Sequence, residues 1–263
     1  MRRSHWNVTT DLAIFVFVLA ALCGCQNQPA NLVPANPQID FGDVLVGTTS
    51  APQMVSWDNT GGDKATIFAL PITNAVFKYG GTVNFQSADI AAGGTSPQWP
   101  IVFQPTALGA QAGEVDPNAF NPSGTNRPQT TPVALKGNGV AQISTGDLSV
   151  IGGAITPGQI LDFDNVQVNT TSAALAFTVR NSSATKTHVV SVQWANGGQG
   201  FVVTAPGQQF AIPPGSAIAV ALTFTPAAVG NAADGVRFVV VGGTGAHEAA
   251  TAVKGKGIPA GGG

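Results

Sequence analysis

The feature that most constrains this chain is that much of it is written twice. Phe41-Gly42-Asp43-Val44 and Gly47-Thr48-Thr49-Ser50-Ala51 line up with Phe163-Asp164-Asn165-Val166 and Asn169-Thr170-Thr171-Ser172-Ala173 at a constant offset of 122 residues, which also pairs Asn59 with Asn181. Further on, Phe103-Gln104-Pro105 and Gly109 match Phe224-Thr225-Pro226 and Gly230 at 121. Lys136-Gly137-Asn138-Gly139 matches Lys254-Gly255-Lys256-Gly257 at 118. A period above 100 residues is too long for a solenoid unit and has the length of a small domain. We therefore expect two tandem domains, at 37–139 and 159–258. Residues 140–158 read as a linker whose Leu148–Ile151 can supply the second domain's first strand, and 259–263 as a disordered tail.

Within each copy the apolar residues alternate with period two. Leu175, Phe177 and Val179 interleave with Ala174, Ala176, Thr178 and Arg180, and Ile218, Val220, Leu222 and Phe224 alternate likewise. One buried face per strand, no helical periodicity, 33 Gly and 18 Pro describe short strands joined by turns. The expected class is all-β, with antiparallel sheets packed as sandwiches.

Arg2 and Arg3 precede an apolar run, Leu12 to Leu22, that is too short to span a bilayer and has the layout of a signal peptide. Leu22-Cys23-Gly24-Cys25 resembles the lipobox of bacterial lipoproteins. That resemblance implies that residues 1–24 are removed and that Cys25 is lipidated. Gln26 after the cysteine, where a retention signal would place aspartate, implies sorting to the outer membrane. Residues 25–36, with Pro29 and Pro34, then read as a lipidated tether. Two or three acyl chains anchor stably where one does not. With Cys23 removed and Cys25 acylated, no disulfide is possible, so the domains must hold through their cores. Without Arg2, Arg3 and Asp11, 9 basic and 12 acidic side chains remain, a net charge of −3 with no basic footprint for nucleic acid.

The repeated motifs resemble the immunoglobulin-like domains called ASH, major sperm protein or hydin-like, known in bacteria as choice-of-anchor D domains. The likeness rests on Phe-Gly-x-Val-x-Val-Gly at Phe41–Gly47, on Asn-Thr-Gly at Asn59–Gly61, on Phe-x-Pro-x-x-x-Gly, and on the closing Gly-x-Gly. The second copy departs with Asp164 for Gly42, Asn169 for Gly47, and Ser182-Ser183 for Thr60-Gly61. The resemblance implies two tandem immunoglobulin-like antiparallel β-sandwich domains, and it names no activity.

A search for chemistry is nearly empty. His188 opens an alternating strand and His247 sits beside Glu248 in a Gly-rich turn, both expected to be solvated. No nucleophile elbow, P-loop or dinucleotide fingerprint occurs, so no catalytic residue, cofactor or small-molecule substrate is expected. Asp162 and Asp164 should share an outward strand face beside Asn165. That is too few oxygens for calcium, and no metal site is expected. The polar excursion from Glu114 to Thr131, with charges Glu114, Asp116 and Arg127, is the best candidate binding segment. The expected function is a non-catalytic envelope lipoprotein whose domains bind an envelope protein or act as a spacer. The alternative is a carbohydrate-binding or adhesin-type protein. That alternative needs an exposed aromatic platform, whereas Trp57, Trp99 and Trp194 read as core.

Overall fold

The structure, a computed structural model, describes residues 28–81, 85–122, 124, 126–154, 158–242 and 247–260. The signal segment, Cys25 and residues 261–263 lie outside them. In the N-terminal half the strands are β1 (Asn31–Pro34), β2 (Gln38–Leu45), β3 (Gln53–Val55), β4 (Trp57–Asn59), β5 (Ala65–Ala69), β6 (Phe77–Tyr79), β7 (Ala88–Ile90), β8 (Trp99–Phe103), β9 (Gly109–Val115), β10 (Asn118–Phe120), β11 (Gln129–Thr130) and β12 (Val133–Val140). The C-terminal half contains β13 (Gln142–Thr145), β14 (Leu148–Gly153), β15 (Leu161–Gln167), β16 (Leu175–Asn181), β17 (His188–Trp194), β18 (Phe201–Ala205), β19 (Gln209–Ile212), β20 (Ala217–Phe224), β21 (Gly230–Val240) and β22 (Glu248–Ile258). The described residues are all-β.

In the C-terminal half, β14-β16-β20-β18 form one sheet. A second runs β13-β22-β21-β17-β19, with β15 added parallel to β22. Their inward faces enclose a core around Phe177, Val179, Val220, Leu222, Phe224 and Phe238, each at most 1% exposed. The alternating run that announced β16 and β20 is the pleat that fills this core. The N-terminal half reproduces the order in shorter pieces: β1-β4 and β3-β8-β6 on one side, β7-β5-β10 and β9-β12-β2 on the other. The long strand corresponding to β21 is split into β9 and β10 at Asp116-Pro117. Proline has no N–H with which to continue a ladder.

The shared motifs recur as shared contacts. Asn59 Nδ2 donates to the carbonyls of Asp63, Ile90 and Ala91, while its Oδ1 accepts from Gly61 N. Asn181 does the same toward Lys186, Ile212 and Pro213, and accepts from Ser183 N. Each asparagine closes its own turn and also ties it to a hairpin about 30 residues onward. The closing Gly-x-Gly is explained by close approach: a Cβ on Gly137 would lie 2.6 Å from the Phe103 ring, and one on Gly255 would lie 2.7 Å from Phe224. The second glycine of each pair, Gly139 or Gly257, packs on the carbonyl of Ala107 or Ala228.

Two boundary expectations are corrected. Of the segment 25–36 read as a tether, Asn31–Pro34 already belong to the fold, since β1 pairs with β4 and Ala30 and Leu32 are fully buried. The reading failed because Pro29 precedes the strand and Pro34 is its last residue, so neither interrupts the pairing. The linker at 140–158 is corrected in part: Leu148–Ile151 does supply a strand, β14, paired with β16, but only Ala141 separates β12 from β13, and β13 pairs along β22 from Gln142 onward. The two cores are therefore joined without a linker, through a third cluster of Leu45, Val46, Ala250 and Ala252 with Val140, Ile143 and Ile160. Across this seam Asn196 Nδ2 donates to the Gly47 carbonyl at 2.8 Å. The fully buried Asp234 holds Asn196 by accepting from its backbone N, and it also accepts from Gly198 N.

Asp162 and Asp164 flank the buried Phe163 and line one hollow with Asn165. Asp164 adopts a left-handed backbone (φ 53°), and β15 is irregular between Asp162 and Asn165. Asp162 accepts from Asp164 N and pairs with Lys254 at 2.9 Å. The departures of the second copy thus place Asp164 and Asn169 (φ 62°) where the first has Gly42 and Gly47. Aspartate and asparagine are the non-glycine types that best tolerate this region.

Candidate interaction surface

The described residues of the excursion from Glu114 to Thr131 are held to the sandwich through β10 and β11. Glu114 is exposed on β9, and its amide donates to Thr73 Oγ1. Asp116 is half-buried, accepting from Thr130 Oγ1 at 3.4 Å while its amide donates to the Pro71 carbonyl. Both tie the excursion down. Arg127 is exposed and lines a shallow hollow of about 460 Å³ with Phe68, Phe120, Asn126 and Pro128; neither Glu114 nor Asp116 reaches it.

Phe68 and Phe120 are 52% and 46% exposed, with ring centroids 5.9 Å apart and planes tilted by 47°. Their position follows from the pleat. In β5, Ala65 and Ile67 point into the core, so Phe68 between them and Ala69 must face outward. Phe120 sits opposite Thr66 on β10, which pairs with β5 alone among the described strands. Sequence reasoning selected Arg127 and missed both phenylalanines, although the alternation around Phe68 carried the signal.

Trp57 and Trp99 are buried at 0% and 3% exposure, 6.2 Å apart, and Trp57 Nε1 donates to the Thr131 carbonyl. Trp194 is partly buried against Phe201. These three tryptophans therefore form no external platform. Of the basic residues in the second copy, Arg237 pairs with Glu248 at 3.0 Å on β21, while Arg180 lies in the opposite sheet.

The histidine expectation is corrected. His188 is 5% exposed and its Nε2 lies 3.0 Å from Asp147 Oδ2. The His247 ring centroid lies 4.9 Å from that of His188 with the planes tilted by 33°, and His247 Nδ1 is 3.7 Å from the same carboxylate oxygen. The His188 hydrogen bond holds the Asp147 carboxyl below its ordinary value. The turn before β14 and the starts of β17 and β22 bring the three together from positions far apart in the chain, so period-two reading could not find them.

Residues 153–249 match the family model described as ASH, "Abnormal spindle-like microcephaly-assoc'd, ASPM-SPD-2-Hydin". No curated protein sequence matches the chain. Among solved structures, a protein of unknown function from Porphyromonas gingivalis W83 is 14% identical over 86% of this chain and 99% of that one, with a TM-score of 0.33. The ASH/PapD-like domain 7 of human CEP192 is 16% identical over 53% of this chain and 96% of its own, at 0.34. The E. coli chaperone DraB is 8% identical over 86% and 96%, at 0.30. None of these similarities assigns an activity. The matched region is a β-sandwich that resembles this family's model.

Proposed function

We propose that this protein is a non-catalytic cell-envelope lipoprotein, anchored through Cys25, whose immunoglobulin-like domains present a docking surface to an envelope protein. The observation that carries the docking half of this reading is the exposed Phe68–Phe120 pair beside Arg127 and Pro128. Aromatic and arginine side chains around a hollow are the composition of interface hot spots. Phe120 lies on a strand whose outer side pairs with no described strand, so a partner segment can add to β10 through main-chain hydrogen bonds while the two rings select its side chains. The tilt between the rings favours a protein over a glycan, because a sugar ring stacks on a flat platform and these two planes diverge by 47°. The linkerless seam supports a unit that projects this surface as one piece.

The test is cross-linking of intact cells expressing the full chain, followed by mass spectrometry, with Phe68→Ala/Phe120→Ala and Cys25→Ser as separate variants. A discrete partner linked near residues 118–130, lost in both variants, supports the reading. Recovery that is indifferent to the phenylalanine pair sinks the docking surface, and unchanged membrane fractionation of Cys25→Ser sinks the anchor.

A further inference from the structure

Among the described residues one group of three metal-ligating side chains converges, Asp147, His188 and His247, with one ligand atom of each within 4.8 Å of the others. Zinc bonded to nitrogen and oxygen at about 2.05 Å in a tetrahedron separates its ligand atoms by about 3.3 Å. The observed 3.0 Å from Asp147 Oδ2 to His188 Nε2 and 3.7 Å to His247 Nδ1 bracket that spacing. Two imidazoles and a carboxylate are a donor set for zinc, nickel, copper or iron, whereas magnesium and calcium prefer all-oxygen surroundings.

Asp147 N donates to His247 Nδ1, so that nitrogen has a lone pair that an incoming metal takes over from the amide. His188 Nε2 faces the Asp147 carboxylate, and it ligates a metal once its proton moves to Nδ1 or leaves to solvent. Residue 146 is glycine with φ 62°, and a Cβ there would run into the His247 ring, so the turn is shaped around the imidazole. His188 is rooted in the core, while the Asp147 and His247 side chains are 32% and 20% exposed, which leaves a path from solvent.

We propose that Asp147, His188 and His247 form a binding site for a divalent transition-metal ion, zinc above all, with water completing the coordination. The three ligands sit on the turn before β14 in one sheet and at the starts of β17 and β22 in the other. A bound ion therefore staples the two sheets at one end of the sandwich, in a chain with no cysteine beyond Cys25 to do so covalently.

The experiment uses the full chain in detergent, purified without a histidine tag and stripped with chelator. Zinc content after equilibrium dialysis and the melting temperature with and without Zn²⁺ are measured for the unsubstituted protein, for His247→Gln and Asp147→Asn, and for Asp89→Asn as a remote control. About one zinc per chain, a melting temperature raised by several degrees, and affinity weakened at least ~10-fold in both site variants are expected, with the control unchanged. Imidazole nitrogen NMR of the unsubstituted protein gives a readout that does not depend on variants folding, and the resonances of His188 and His247 should both shift with Zn²⁺. The proposal is overturned if zinc is not retained, if binding is indifferent to both site substitutions, or if the imidazoles do not shift, in which case the cluster is a proton-sharing ion pair only.

Discussion

Gly47 and Asn169 occupy the same motif position 122 residues apart, and the structure assigns them different consequences on substitution. Gly47 has φ 84°, and a Cβ on it would meet the Ala233 Cβ at 2.8 Å and the Ala233 backbone at 3.4 Å. Gly47→Ala must therefore hold alanine in a left-handed backbone, costing about 1 kcal/mol. It must also push the seam apart against a contact roughly 1 Å too short, an overpacking cost of about 1–3 kcal/mol. The expected loss is about 2–4 kcal/mol. Asn169 shares the conformation but is exposed, so Asn169→Ala should cost only about 0.5–1 kcal/mol. Equilibrium urea unfolding reads both, and the loosened seam should also split one transition into two. Adding Ala233→Gly to Gly47→Ala removes the opposing methyl and should return about 1–2 kcal/mol net of the glycine's own cost. If Gly47→Ala costs no more than Asn169→Ala and Ala233→Gly restores nothing, the tight seam between the halves does not exist.

Asn181→Ala strands the buried Ile212 carbonyl and the Ser183 amide and should lower stability by about 2–4 kcal/mol in denaturant titrations, with Asn59→Ala matching it; a loss below 1 kcal/mol would refute the hairpin tie. Asp40 and Asp89 are held below their ordinary value of 3.8, by the Gly42 amide and then Lys136 in one case and by Lys64 and then Thr66 in the other. Depressed carboxylates stabilise fully above that value and lose the contribution as pH falls through their folded pKa, so melting temperature should drop between pH 5 and pH 3, and drop less in the Asp40→Asn/Asp89→Asn double variant. Phe68→Ala should weaken partner binding by roughly tenfold, as expected for about 100 Å² of ring surface buried with partial return, while leaving the melting temperature within about a degree. A large fall in melting temperature would instead make Phe68 structural.

Much of the fold was legible because its causes are local. The alternation of Leu175, Phe177 and Val179 encodes a pleat with one buried face, and the recurrence of Phe-x-Pro-x-x-x-Gly with Gly-x-Gly encodes two surfaces that must fit each other. The boundaries were less legible. Asn31–Pro34 and Gln142–Thr145 are short strands whose membership depends on partners at 57–59 and 248–251, and neither carries an alternating run long enough to announce itself. Arg127 was legible as a charge on a polar excursion. That it stands beside Phe68 was not, because 59 residues separate them in the chain.

The sequence by itself determined the class of structure, the duplication and the burial of Trp57 and Trp99, since pleat period and ring size act within a few residues. Only the tertiary structure decided which side chains from distant strands meet. It carried Asp147, His188 and His247 to one sheet end, set Phe68 against Phe120, and pressed Gly47 on Ala233. The physical reason is that sheet register and the packing of one sheet on another are fixed by the summed burial of two whole cores. A polar or exposed residue follows wherever that burial carries it, so its neighbours are a consequence of the fold and leave no mark in the residues beside it.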